Sequence, residues 1–162
     1  MRSAKLSICW DCNLRCPYCV NQYPGIREAF KPITKAQLWG MPYDALDITG
    51  GEPLLRPDRV RAVLAESRPP RRHYLWTNGL LLPTTPPSLL KRMDGINVGY
   101  HAVPLPWDSL IGIHWNVSPI RLWVQDTDCG PWMDALPLEK VVWTKDDCLT
   151  MPREHWYYLE GE

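Results

Sequence analysis

Three short apolar segments each run straight into a chemically marked turn, and this repetition constrains the fold more than any other feature of the chain. Residues 5–10, with Leu6 and Ile8 apolar, open onto a cluster of cysteines; residues 44–49 end in Gly50-Gly51-Glu52-Pro53; residues 72–77 close on Asn78-Gly79. Each segment reads as a buried strand. Between the first two, Thr34 followed three residues later by Gln37 is a capping-box pattern that opens a short helix over 35–39, stopped by Gly40. Pro57 suits a first helical turn, and Val60, Val63 and Leu64 follow on one face, so a helix runs to about Ser67 before Pro69-Pro70 ends it. A brief helix over 88–93, strands near 95–100, 110–116 and 120–125, and an edge strand over 140–144 continue the order. Such alternation predicts an α/β fold, a mostly parallel sheet with helical crossovers. Past residue 100 the helical pattern thins, and with 17 prolines in the chain the later connections are expected to be extended loops.

At 162 residues the chain is one domain's worth of sequence. The expectation is a single domain over 1–162, with the motifs in 5–126 and an acidic extension over 127–162. Charge divides accordingly: residues 1–125 hold 15 Lys+Arg against 9 Asp+Glu, and residues 126–162 hold 3 against 9. Hydrophobic residues at 45% and charged residues at 22% exclude a disordered or collagen-like chain. No apolar run approaches the ~18 residues of a membrane span. The first residues lack the apolar stretch of a secretory signal, so a cytoplasmic protein is expected. Arg56, Arg59, Arg61, Arg68, Arg71 and Arg72 crowd together and read as the solvated face of a helix. Aromatic residues that would stack on single strands are absent among them, so nucleic acid is not an expected partner.

Six cysteines in a reducing compartment point to metal or redox chemistry rather than to disulfides. Cys12, Cys16 and Cys19 stand in the spacing C-x3-C-x2-C, with Cys9 three residues ahead. Thiolate is the usual protein ligand of cluster iron, and three thiolates this close together can grip one side of a [4Fe–4S] cube and leave one iron open. A ferredoxin run has four cysteines with the three-residue gap last, which this sequence does not match. Zinc is the rival, because Cys9, Cys12, Cys16 and Cys19 supply four thiolates, although zinc sites usually set their cysteine pairs a dozen or more residues apart. Cys9 itself reads as a packed thiol, and Cys129 and Cys148 stand alone.

These residues resemble those of the radical S-adenosylmethionine (radical SAM) enzymes. The likeness rests on Cys12, Cys16 and Cys19 after the first strand, on Tyr18 before the third cysteine, on Gly50-Gly51-Glu52-Pro53, and on Thr77-Asn78-Gly79. It covers roughly residues 5–100. The resemblance implies a partial, open TIM-type barrel of about six parallel strands with short crossover helices. It also implies a [4Fe–4S] cluster on Cys12, Cys16 and Cys19, with S-adenosyl-L-methionine chelating the open iron. In that family reductive cleavage of this cofactor leaves methionine and a 5′-deoxyadenosyl radical, which takes hydrogen from substrate. The implied reductant is a flavodoxin or ferredoxin. By the same resemblance Gly50 and Gly51, lacking Cβ atoms, admit the methionine ammonium to backbone carbonyls, and Glu52 adds negative charge. Tyr18 is expected beside the adenine, and Asn78 facing the cofactor. Ligands of parallel sheets sit at the carboxyl ends of strands, which nominates Asn97, His101, Asn116 and Gln125 as further lining. Trp115 and Trp123 are expected to pack in the core or to shield a radical.

Typical members are longer than this chain. Shortened helices predict a wide barrel mouth, which a peptide or protein substrate would itself seal. Two compact classes stand as alternatives: glycyl-radical activating enzymes, such as the one for anaerobic ribonucleotide reductase, and the 7-carboxy-7-deazaguanine synthases. The latter usually place Asp-Thr soon after the third cysteine, where this sequence has Val20-Asn21. Peptide-modifying members share Cys12-Asn13-Leu14-Arg15-Cys16-Pro17-Tyr18-Cys19 more closely but add a cysteine-rich extension. The non-enzymatic alternative is an iron–sulfur electron carrier or redox sensor with Cys9 as fourth ligand.

Overall fold

The computed structural model describes residues 2–17, 19–67 and 70–161, and the backbone alone of Val20, Lys145, Cys148 and Leu149. Its strands are β1 (Ser3–Ser7), β2 (Lys31–Ile33), β3 (Ala45–Thr49), β4 (Arg72–Thr77), β5 (Gly95–Tyr100), β6 (Ile120–Gln125), β7 (Glu139–Trp143) and β8 (Trp156–Leu159). They form one eight-stranded sheet in the order β2-β8-β1-β3-β4-β5-β6-β7, and every pairing is parallel. Helices lie between the strands: α1 (Lys35–Gly40), α2 (Pro57–Ala65), α3 (Pro87–Leu90), α4 (Trp107–Asn116) and α5 (Lys145–Thr150). This is the α/β class that the alternation predicts, with eight strands against the seven read from the sequence, because two are gained and one, at 110–116, is lost. The added pair, β2 and β8, are only three and four residues long, too short to show a period.

Period-two alternation separates the faces of the sheet. Leu6, Leu46, Ile48, Leu75, Ile96, Val98, Leu122 and Val124 are each 1% exposed or less, and they form one apolar core with Val60, Val63 and Leu64 of α2 and Leu110 of α4. Lys5, Thr49, Trp76, Trp123 and Trp156 point the other way, and all five line a single cavity. A cavity lined from strands that far apart in the order makes that face concave.

Residues 110–116 are not a strand. They are the C-terminal part of α4, which carries the chain from β5 to the adjacent, parallel β6. A parallel pair requires a crossover, and a further strand there would have left none. The local pattern misleads because Leu110-Ile111-Gly112-Ile113 is almost continuously apolar, and such a run does not separate helix from strand. Leu110, Ile113 and Val117 meet the core at helical spacing. The extended connections expected after residue 100 hold between β6 and β7, where short 3₁₀ turns cover Asp126–Asp128 and Pro131–Ala135.

Start signals were legible. Thr34 accepts from the Gln37 amide (3.3 Å) while its own amide donates to Gln37 Oε1 (2.9 Å), closing the box at α1. Part of the arginine run does more than solvate a face. Arg71 donates to the carbonyls of Trp39 (2.9 Å) and Met41 (3.0 Å) and lies 4.5 Å from the Tyr43 ring centroid, while Arg59 donates to the Leu159 carbonyl (2.9 Å). Residues after 126 supply β7 and β8 to the same sheet, with α5 between them in the chain. Among the described residues no helix is long and apolar enough to cross a membrane.

The ends of β1, β3 and β4 are locked together by Glu52. The Gly51 amide donates to the Cys9 carbonyl (2.9 Å) and the Glu52 amide to that of Asp11 (2.7 Å), so the turn after β3 runs against the chain leaving β1. The Glu52 side chain is fully buried; Oε1 accepts from the Leu54 amide (2.9 Å) and Thr77 Oγ1 (2.9 Å), and Oε2 from the Asn78 amide (2.8 Å). Burial pushes this carboxyl above the usual range, and its three donors pull it back. Glu52→Ala strands those donors in the interior, where each unsatisfied group costs about 1–3 kcal/mol. Urea denaturation of the variant is expected to show a loss of at least about 2 kcal/mol, and a loss within error of zero would mean that the lock does not stabilise the fold.

Candidate functional site

The concave face encloses a cavity of about 230 Å³. Around its opening, at the carboxyl ends of the strands, stand Cys12, Cys16 and Cys19 from the loop after β1, Gly50 and Gly51 after β3, Asn78 after β4, and His101 after β5. Deeper along the strands the walls are Lys5, Trp76, Trp123 and Trp156.

The cysteine loop has little regular structure, and neighbouring chain ends hold it in place. Asn78 Nδ2 donates to Asn13 Oδ1 (2.6 Å), Asn21 Nδ2 to the Gly50 carbonyl (3.0 Å), and the Cys19 amide to the Cys16 carbonyl (3.1 Å). The three thiols are free. Burial, then the charges of Cys19 and Cys12, push the Cys16 thiol up to about 11, and burial first among several causes raises Cys12. Neighbouring sulfur charge therefore opposes the ionisation of Cys16 and Cys12. Iron reverses that balance, because thiolate is the form that ligates metal and binding releases the proton. Among the described residues no three His, Cys or acidic side chains close on a single ion. Three thiols spread around one opening fit a cluster whose iron atoms are themselves spread over several corners.

Cys9 lies apart from this set. It is 3% exposed, its thiol donates to the Glu52 carbonyl (3.5 Å), and it is not among the residues lining the cavity. It is a packed thiol, as its place at the end of the first strand predicts.

The two glycines have a structural reason beside the expected one. Gly50 has φ +156°, and a Cβ there would lie 2.5 Å from the Cys9 carbonyl oxygen; one on Gly51 would collide with the Asp11 carbonyl. Both still line the cavity. Glu52 lies beneath them with its carboxylate spent on Leu54, Thr77 and Asn78, which makes it a positioning residue. Asn78 lines the cavity while its side chain bridges the Leu80 amide (3.1 Å) and Asn13.

The remaining expected residues divide. His101 lines the cavity, and burial lowers its pKa while the charge of Asp128 opposes the shift. Asn97 lies under the wall, where its Oδ1 accepts from Trp123 Nε1 (2.9 Å). Gln125 is buried at the end of β6, and its Oε1 has no hydrogen-bond partner among the described residues. Asn116 is exposed at the end of α4, its amide donating to the Gly112 carbonyl (2.9 Å); because 110–116 is helical, it does not stand at a strand end and does not line the cavity. Trp115 is 65% exposed, whereas Trp123 forms part of the wall. Tyr18 lies outside the described residues.

Sequence reasoning missed Lys5, Trp76 and Trp156. The signal was present: in β1 a lysine stands between buried Ala4 and Leu6, so the alternation alone turns it toward the opposite face. Asn21, whose amide steadies Gly50, was visible only as a departure from another class's pattern.

No protein-family model matches the chain. Over 77 residues it is 38% identical to 7-carboxy-7-deazaguanine synthase of Methanothermobacter thermautotrophicus, a stretch covering 43% of this chain and 30% of that protein. Over 112 residues it is 31% identical to a probable GTP 3′,8-cyclase of Methanopyrus kandleri, covering 64% of this chain and 35% of the relative. The chain thus spans about a third of the length of the curated relatives it matches. Both relatives are radical SAM enzymes, and with three thiols, a diglycine turn and an asparagine gathered at the carboxyl ends of a parallel sheet, this chain is related to the radical S-adenosylmethionine superfamily.

Proposed function

We propose that this chain is a radical S-adenosylmethionine enzyme in which Cys12, Cys16 and Cys19 hold a [4Fe–4S] cluster over a cavity for a small substrate. The observation that carries the reading is the convergence of those thiols with Gly50, Gly51 and Asn78 around one opening. When bound, the cluster and S-adenosyl-L-methionine supply a reductive cleavage whose adenosyl radical abstracts hydrogen from substrate. The chain's own residues orient and exclude. Gly50 and Gly51 offer bare backbone to the methionine end of the cofactor, and Asn78, braced by Glu52, fixes the opening to the cysteine loop. Trp76, Trp123 and Trp156 keep water from the interior, which a reactive radical requires. A flavodoxin or ferredoxin is the reductant in this reading.

Two observations support it over the alternatives. An electron carrier would need a fourth thiolate, and Cys9 is engaged with the Glu52 carbonyl outside the cavity. A peptide or protein substrate, expected from chain length, would have to enter past Asp147 and Met151, which bring the last connection into the cavity wall. A small substrate needs no such displacement.

Anaerobic reconstitution followed by dithionite and S-adenosyl-L-methionine should release 5′-deoxyadenosine, resolved by chromatography, with Cys16→Ala at background. Wild type at background would overturn the assignment. Cys9→Ala should keep its iron and sulfide content, whereas Cys12→Ala or Cys19→Ala should lose most of it. Loss in Cys9→Ala equal to that in Cys12→Ala would favour the carrier.

A further inference from the structure

The peptide that joins Gly50 to Gly51 has no Cβ on either side of it, so by itself its plane turns easily. Two hydrogen bonds from different parts of the chain hold it. Its N–H, the Gly51 amide, donates to the Cys9 carbonyl (2.9 Å), and its C=O, the Gly50 carbonyl, accepts from Asn21 Nδ2 (3.0 Å). In a trans peptide these two groups point in opposite directions. The carbonyl is therefore turned away from Cys9 and toward the turn that carries Asn21. Gly50 and Asn21 both line the cavity, whereas Cys9 does not.

Asn21 is itself tied to the thiol-bearing loop. It lies two residues beyond Cys19 in a 3₁₀ turn (Val20–Gln22), where the Gln22 amide donates to the Cys19 carbonyl (3.0 Å) and Gln22 Nε2 to the Cys16 carbonyl (3.4 Å). Its carboxamide can point only one way, because a carbonyl oxygen accepts from the nitrogen end and not from the oxygen end. The Gly50 oxygen has two lone pairs. Asn21 takes one, and among the described residues no other donor reaches this oxygen. The second is left for an N–H group arriving from the cavity.

We propose that Asn21 is a positioning residue for the cofactor: it holds the Gly50 carbonyl toward the cavity, so that this oxygen receives the methionine ammonium of S-adenosyl-L-methionine. This deepens the radical-enzyme reading of the same site and rests on it. The role belongs to the carbonyl and not to the loop as a whole. The other asparagine tie of the loop, from Asn78 Nδ2 to Asn13 Oδ1 (2.6 Å), joins two side chains and orients no backbone acceptor. A loosened loop and a misdirected carbonyl therefore give different results.

Binding without turnover isolates that role. S-adenosyl-L-methionine and its deamino analogue, in which hydrogen replaces the ammonium, can be titrated by calorimetry into the anaerobically reconstituted protein with no reductant present. Wild type should prefer the ligand that carries the ammonium. Asn21→Ala should weaken S-adenosyl-L-methionine about tenfold and the deamino analogue less than about twofold. Asn21→Leu, which keeps the shape and lacks the donor, should do the same, whereas Asn13→Ala should leave the preference at its wild-type value. No preference in wild type, unchanged affinities in both Asn21 variants, or an equal loss for the two ligands overturns the proposal. Loss of iron and sulfide from both Asn21 variants also overturns it, since the side chain would then serve to hold the thiol loop. Wild type that binds neither ligand sinks the radical reading together with this inference. Wild type that binds the cofactor and, once reduced, releases 5′-deoxyadenosine, with the preference intact in the Asn21 variants, sinks the inference alone.

Discussion

Two backbone hydrogen bonds, from Gly51 to Cys9 and from Glu52 to Asp11, hold the rest of the site in register. They force the segment after β3 against the segment after β1 so closely that no side chain fits at Gly50 or Gly51. Because the cysteine loop begins one residue beyond Asp11, its starting point is fixed by β3 rather than by any structure of its own. Glu52 then extends the link to β4 through Thr77 and Asn78, and Asn78 returns it to the loop through Asn13. The circuit closes with each buried polar group satisfied, which lets an irregular loop present three thiols in a defined place. Removal of one member should loosen the others, since such networks act as units rather than as sums.

The two faces of the sheet solve different problems. The helix-covered face is aliphatic and closely packed, as a continuous core requires. The concave face cannot be filled in the same way if it is to admit a ligand, and it carries large rings pinned by hydrogen bonds at their N–H groups. A chain with nine tryptophans and one phenylalanine is therefore not merely substituting one aromatic for another in its core. Tryptophan offers an N–H handle that phenylalanine lacks, and the handle fixes the ring where packing alone is absent.

Much of this arrangement was legible in the sequence, for reasons that differ by residue. β4, β5 and β6 match the expected limits because turn chemistry brackets each one, as at Asn78-Gly79 after Thr77. Cys12, Cys16 and Cys19 were legible because ligand spacing is a local property. The helix over 110–116 was misread because an apolar run carries no period, and only the need for a crossover between parallel strands decides it. β2 and β8 were unread because three or four residues gain strand structure from their neighbours and not from their own sequence. Lys5 was passed over for a related reason. An inward lysine gains meaning only when the opposite walls are known, and Trp156 lies at the far end of the chain.

That distant contact also accounts for the curvature. The connection from Trp143 to Trp156 contains the six-residue α5, and at full stretch it reaches about 34 Å. In a flat sheet β7 and β8 would stand six strand spacings apart, about 29 Å sideways, with a further ~16 Å back along the strands to restart in parallel. The direct path of about 33 Å would consume the whole connection. The turn closed by the Trp156 amide on the Arg153 carbonyl (3.3 Å) makes full stretch impossible. The sheet must curl until its ends approach, and the same connection then passes along the concave side, where Met151 meets Lys5. The chain from β7 to β8 thus both requires the cavity and narrows it.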